Sequence, residues 1–109
     1  MAILSSLESV EALEQLFEVS HSAPVVLFKH SRTCGISAHL LEQIRTVDSH
    51  VNVVTVQSHR EVSNAIEQRT GYRHQSPQAF VIRDGKAVYQ ASHYGIDPAA
   101  ITAHLEPSK

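Results

Sequence analysis

This sequence contains little cysteine, tryptophan, glycine or proline. Its 109 residues include one cysteine, Cys34, no tryptophan, four glycines and four prolines. A single cysteine excludes the internal disulfide framework that stabilises many small secreted domains. Any disulfide that Cys34 forms must therefore join this chain to another molecule. The chain also lacks internal repeats and low-complexity tracts, which excludes repeat and fibrous architectures.

The chain also lacks a large excess of either positive or negative charge, and it lacks long apolar runs. The formal net charge is −2 at pH 7 and no basic run occurs, so we expect no nucleic-acid partner. No stretch approaches the ~20 apolar residues of a membrane span, and residues 1–16 have no basic region ahead of an apolar one. We therefore expect a cytoplasmic monomer without a membrane partner, folded as a single domain over residues 1–109.

Residues 24–37, with the sequence PVVLFKHSRTCGIS, organise the chain. The apolar run from Val25 to Phe28 is typical of a strand buried on both faces, and we place a central strand at residues 25–30. A helix-like pattern follows Cys34, so the cysteine lies where a buried strand passes into a helix. The free N–H groups and partial positive charge of a helix N-terminus favour a thiolate, which is the nucleophilic form. The polar approach to Cys34 favours a reactive cysteine over a buried structural one.

The rest of the pattern alternates helices with strands. Two capping boxes, Ser5 with Glu8 and Ser58 with Glu61, predict the starts of two helices. Residues 2–4 are apolar enough for a short edge strand, and further strands are predicted at residues 51–56, 79–83 and 86–92.

Two turn signals complete the pattern. Asp84-Gly85 predicts a hairpin, and Asp97-Pro98 predicts the start of a last helix. The element order α-β-α-β-α-β-β-α matches the thioredoxin-like α/β fold. We expect a four-stranded mixed sheet, made of a βαβ unit and a C-terminal ββα unit, with helices on both faces and an additional N-terminal helix.

Three stretches together resemble the monothiol bacilliredoxins of the bacillithiol redox system. They are FKHSRTCGIS at residues 28–37, HQSPQAFVI at residues 74–82 and RDGKAVYQASHYGI at residues 83–96. The similarity extends over nearly the whole chain, and the combination is far more specific than any single motif. The family often carries proline after the cysteine, where this chain has Gly35. That departure leaves the nucleophile intact.

The resemblance implies a thiol–disulfide oxidoreductase that removes bacillithiol from S-bacillithiolated client proteins. Bacillithiol, a glucosamine–malate–cysteine thiol that some bacteria use instead of glutathione, would be a co-substrate, and no bound cofactor is expected. Cys34 would attack the mixed disulfide and retain bacillithiol. A second low-molecular-weight thiol would then release it, because Ser37 cannot act as a resolving thiol. The malate is anionic, so Lys29, Arg32 and Arg73 are candidate ligands for it.

The resemblance also implies which residues form the site. Cys34 is the catalytic residue, and the supporting residues of its loop are His30, Arg32, Thr33, Gly35 and Ser37. The Ser37 hydroxyl is a candidate hydrogen-bond donor to the Cys34 sulfur. The expected substrate-binding residues are His74, Ser76, Pro77 and Gln78.

The SPQ motif at residues 76–78 carries a further expectation. By resemblance to thioredoxin folds, Pro77 should be cis and lie opposite Cys34, whereas base rates alone favour trans. The backbone of Ser76 should then pair with an extended thiol-bearing peptide. His30, His74 and His93 occur in the motif stretches and are candidates for tuning Cys34. No histidine has a compact metal-site spacing with Cys34, so no metal is expected.

Two other functions fit parts of the sequence. CGIS differs by one residue from the CGFS motif of monothiol glutaredoxins, which resembles an iron–sulfur cluster carrier. A non-catalytic thioredoxin-like binding module, in which Cys34 is only a target of modification, is the third possibility. Visible absorbance after anaerobic reconstitution would favour the carrier, and turnover on a bacillithiolated client would exclude the binding module.

Overall fold

The structure, a computed structural model, describes residues 1–106. Its strands are β1 Ile3–Ser6, β2 Val25–His30, β3 His50–Thr55, β4 Gln78–Arg83 and β5 Lys86–Ser92. Its helices are α1 Val10–Val19, α2 Gly35–Ile44, α3 Arg60–Thr70 and α4 Pro98–Leu105, with a 3₁₀ turn at His93–Gly95. None of these helices is both long and apolar enough to cross a membrane.

The strands form one mixed sheet in the order β1-β3-β2-β4-β5. Strand β3 is parallel to both β1 and β2, whereas β4 is antiparallel to both β2 and β5. The thioredoxin-like fold is therefore confirmed, but the sheet has five strands and not the predicted four. The additional strand is β1, which extends from the predicted short edge segment and pairs with β3 over Ile3 to Ser6.

Strand β2 lies at the centre of the sheet, with one hydrophobic core on each face. Val25 and Leu27 pack in the core beneath α1 and α3, together with Phe17 and Ile66. The alternate residues Val26 and Phe28 pack in the opposite core, with Leu40 of α2 and Ile101 of α4. Because both faces of β2 are buried in this way, its sequence is a continuous apolar run.

Both predicted capping boxes are wrong. Helix α1 is capped by Ser9, whose hydroxyl accepts a hydrogen bond of 3.0 Å from the N–H of Ala12. Ser5 cannot cap it, because Ser5 belongs to β1, where pairing with β3 determines the backbone conformation. Helix α3 begins after His59, and no side chain caps it.

The two turn predictions are confirmed. Asp84 and Gly85 both have positive φ, 54° and 75°, as expected for a two-residue turn between antiparallel strands. The Asp97 carboxylate accepts a 3.0 Å hydrogen bond from the N–H of Ala99, and Pro98 occupies the first turn of α4. Local turn chemistry therefore positions the C-terminal half of the sheet.

Candidate functional site

Cys34 is the N-cap residue of α2 and a half-buried free cysteine. Its backbone is extended, with φ −106° and ψ 117°, and its carbonyl accepts the first helical hydrogen bond, 3.1 Å from the N–H of Ala38. No side chain caps α2, and the first turn carries no acidic residue. The free N–H groups and the positive end of the α2 dipole at Cys34 are thus not offset by a carboxylate in the first turn.

The loop before Cys34 is held by Gln57, which follows β3. The Gln57 side-chain oxygen accepts a 3.1 Å hydrogen bond from the N–H of Arg32. Its amide nitrogen donates to the hydroxyls of Ser31, at 2.7 Å, and Thr33, at 3.3 Å. Gln57 was not among the predicted site residues. A polar residue at the carboxyl end of a strand parallel to β2 was the available signal, because such ends meet at one edge of the sheet.

Ser37 lies fully buried beneath the Cys34 loop. Its hydroxyl accepts a 3.0 Å hydrogen bond from the N–H of Ser31 and lies 2.8 Å from Nδ1 of His30. Burial lowers the pKa of His30, which favours the neutral imidazole. Within the described residues Ser37 makes no hydrogen bond to the Cys34 sulfur, contrary to our expectation. Ser37 and His30 instead fix the shape of the loop.

The second predicted segment lies beside the strand that leads to Cys34. Gln78 pairs with Lys29 across β4 and β2, so Pro77 lies next to the end of β2. The Ser76–Pro77 bond is cis, in agreement with the expectation, and the Pro77 carbonyl accepts a 3.0 Å hydrogen bond from the N–H of His93. Within residues 1–106 the buried Ser76 hydroxyl has no partner, and its backbone makes no hydrogen bond.

Gln78 is buried, and its side chain is fully engaged within this segment. The amide nitrogen donates to the carbonyl of Arg73 at 3.1 Å and to the side chain of Gln90 at 2.8 Å. The amide oxygen accepts from the N–H of Gln75 at 3.2 Å. These bonds hold residues 73–78 in place. Contact between Gln78 and a substrate stays a prediction.

The histidines of the motif stretches are divided among different neighbours. His30 joins Ser37, as above, whereas Nδ1 of His74 lies 3.2 Å from the hydroxyl of Ser63 in α3. His93 has a positive φ of 53° and contacts the Pro77 carbonyl through its N–H. Within residues 1–106 no group of three or more histidine, cysteine or acidic side chains could hold a metal ion.

Lys29 is the least expected residue near the site. Its side chain is fully buried, and within the described residues its ammonium nitrogen has no hydrogen-bond partner. Burial lowers its pKa to about 8, and the carboxylate of Glu67 partly opposes this shift. Lys29 lies within β2, as the predicted strand at residues 25–30 required, but its full burial was not predicted.

Comparisons with known proteins agree with this geometry. The family model described as monothiol bacilliredoxin BrxC matches residues 5–101. A solved structure described as a candidate oxidoreductase with a thioredoxin fold is 30% identical, with a TM-score of 0.86 and 95% of each chain covered. Fasciola hepatica thioredoxin is 16% identical with a TM-score of 0.72, covering 93% of this chain and 98% of that one. A reduced Schistosoma mansoni thioredoxin is 18% identical with the same TM-score, 0.72, and 94% coverage of both chains. The last two show the fold alone.

Proposed function

The chain belongs to the monothiol bacilliredoxin BrxC family, and we propose that it removes bacillithiol from S-bacillithiolated proteins through a mixed disulfide on Cys34. The family and the thioredoxin fold already indicate a thiol redox role. The observation that carries the finer proposal is the position of Cys34. It is free, half-buried, at the N-cap of α2, and the sole cysteine of the chain.

The chemistry is an exchange of one disulfide for another. The Cys34 thiolate attacks the bacillithiol sulfur of the client's mixed disulfide, so one S–S bond forms and one breaks. The client leaves as a thiolate, and Cys34 holds bacillithiol. Because the chain contains no second cysteine, the thiolate of a second low-molecular-weight thiol must attack this adduct, which regenerates Cys34 and releases a small disulfide.

The protein scaffold contributes position and charge. The uncapped N-terminus of α2 stabilises negative sulfur, both before attack and whenever Cys34 is the leaving group. The hydrogen bonds that Gln57 and Ser37 accept from the N–H groups of Arg32 and Ser31 hold the loop, so the sulfur is presented without rearrangement. The unpaired backbone of Ser76, beside the end of β2, supports pairing with an extended segment of the client.

Intact mass spectrometry tests the proposal. After incubation with bacillithiol disulfide, we expect the wild-type chain to carry one bacillithiol and the Cys34→Ser variant to carry none. With a bacillithiolated client, the wild type should restore the free client thiol and accumulate the adduct. A Cys34→Ser variant that releases bacillithiol at the wild-type rate would overturn the assignment.

A further inference from the structure

A surface cavity of about 110 Å³ lies between α3 and the segment that precedes β4, lined by Val56, Arg60, Ser63, Asn64 and His74. We propose that this cavity is a subsite for a carboxylate group, and that it receives the acidic end of the low-molecular-weight thiol. The assignment of the cavity to the low-molecular-weight thiol rests on the function proposed above. The cavity exceeds the ~30 Å³ that one water molecule occupies in the liquid, so a group of several heavy atoms can enter.

The polar wall of the cavity is one face of α3. Arg60, Ser63 and Asn64 are spaced three and four residues apart, which places them side by side on a helix. Ser63 is buried and holds His74 through the 3.2 Å contact between its hydroxyl and Nδ1. The lining therefore offers guanidinium, hydroxyl, amide and imidazole groups, which together suit a carboxylate.

The buried ammonium of Lys29 is the second observation. Lys29 follows Val25 and Leu27 at alternate positions of β2, so its side chain points towards the α3 face of the sheet. Burial, and after it the charge of Lys29, lowers the pKa of His74, which lines the cavity. Lys29 also interacts with Glu67, one turn beyond Ser63. A buried ammonium without a partner is unfavourable, and a carboxylate in the adjacent cavity would compensate it.

The balance of charge favours an anion over a cation. None of the five lining residues is acidic, and Arg60 is one of them. Glu67 is an acidic group that acts on this region, and at His74 its charge opposes those of two cations, Lys29 and Arg60. Burial lowers the pKa of His74, the charges of Lys29 and Arg60 lower it further, and the charge of Glu67 opposes them.

The cavity adjoins the Cys34 loop. The N–H of Val56, a lining residue, donates a 2.9 Å hydrogen bond to the carbonyl of His30, where β2 ends and the loop begins. Gln57, the next residue, holds Ser31 and Arg32 of that loop. In this proposal we expect a molecule attached to Cys34 to extend past Gln57 towards Arg60. Arg32 and Arg73, two of the cations that the sequence suggested, do not line the cavity.

The test compares two disulfide substrates in the full chain. Bacillithiol disulfide carries carboxylates, whereas bis(2-hydroxyethyl) disulfide carries none. For Arg60→Gln we expect kcat/KM for bacillithiol disulfide, divided by kcat/KM for bis(2-hydroxyethyl) disulfide, to fall about tenfold. The reason is that charge-assisted hydrogen bonds to the carboxylate are lost. Arg45→Gln, at the opposite end of α2 from Cys34, is the matched control with the same charge change, and should leave the ratio unchanged.

Binding of L-malate alone distinguishes a carboxylate subsite from a structural effect of the Arg60→Gln substitution. L-Malate should shift the amide resonances of Ser63 and Asn64 in the wild type, and Arg60→Gln should weaken this binding about tenfold. It should also inhibit exchange with bacillithiol disulfide competitively. Equal losses in Arg60→Gln and Arg45→Gln, or no response to malate, would overturn the subsite. Malate binding without a change in the kinetic ratio would overturn its assignment to the thiol. Failure of Cys34 to react with either disulfide would instead overturn the proposed function.

Discussion

Replacing Lys29 by methionine should stabilise the protein at neutral pH. In the folded chain burial lowers the lysine pKa from 10.5 to about 8, a difference that corresponds to about 3 kcal/mol at 1.36 kcal/mol per pKa unit. At pH 7 the folded state must hold an ammonium that the unfolded state hydrates freely. Methionine is also unbranched and removes this charge. We therefore expect Lys29→Met to raise the free energy of unfolding by about 1–3 kcal/mol at pH 7.

The same change has a pH signature with a defined sign. Between pH 8 and pH 10.5 the unfolded chain keeps the lysine proton and the folded chain loses it. Because the unfolded state then binds more protons, this lysine makes the free energy of unfolding rise with pH across that window. The advantage of Lys29→Met should accordingly shrink as the pH rises from 7 to 10.

Urea denaturation at several pH values measures both effects. The experiment uses the Cys34→Ser background, so that the thiol does not titrate, and buffers without carboxylates, which could occupy the proposed subsite. Lys86→Met, at an exposed lysine of β5, is the matched control and should be nearly neutral at every pH. A Lys29→Met variant that is less stable than its parent at pH 7, or that differs from it by the same amount at pH 7 and pH 10, would refute the reasoning.

Three further predictions concern the Cys34 loop. Gly35→Pro should fold, and its free energy of unfolding, measured by thermal denaturation, should rise by about 0.4–1 kcal/mol. A Cβ at Gly35 meets nothing within 4 Å, and Cys34 already has the extended backbone that precedes proline. A lower melting temperature would contradict this. Ser37→Ala should lose about 1–3 kcal/mol in urea, since the N–H of Ser31 loses its acceptor, whereas the exposed Ser58→Ala should change little. Ser37→Cys should form an internal disulfide with Cys34, seen as a loss of two hydrogens in the intact mass after oxidation; persistence of a stable bacillithiol adduct would refute it.

Local patterns predicted the centre of the fold and the position of the thiol. The double-sided apolar run of β2, the Asp84-Gly85 turn and the Asp97-Pro98 cap each determine their structure within a few residues. Strand β1 could be placed only as a short edge segment, because Ile3 to Ser6 gain their hydrogen bonds from β3, nearly fifty residues away. Because Ser5 pairs within β1, the N-cap of α1 is Ser9 and not the predicted Ser5.

The contacts around Cys34 could be predicted less well, because they are not local in sequence. Gln57 accepts a hydrogen bond from the N–H of Arg32, 25 residues earlier, and only its position at the carboxyl end of a strand parallel to β2 could have indicated that contact. Ser37 was correctly placed one turn after Cys34. Its hydroxyl, however, joins Ser31 and His30, which the helical spacing of Cys34 and Ser37 could not reveal.

Lys29 is where sequence rules and structure disagree most. The predicted strand at residues 25–30 includes Lys29, but lysine is almost never fully buried, whereas pairing with Gln78 on one side and Val54 on the other places Lys29 inside the sheet. Within the described residues the buried ammonium has no hydrogen-bond partner, and its attraction to Glu67 only partly offsets the cost of burial. Positions that break a local rule without a structural gain are expected at functional sites. The rise in the free energy of unfolding that we expect for Lys29→Met therefore measures the stability that the protein loses by keeping a positive charge beside the cavity lined by Arg60.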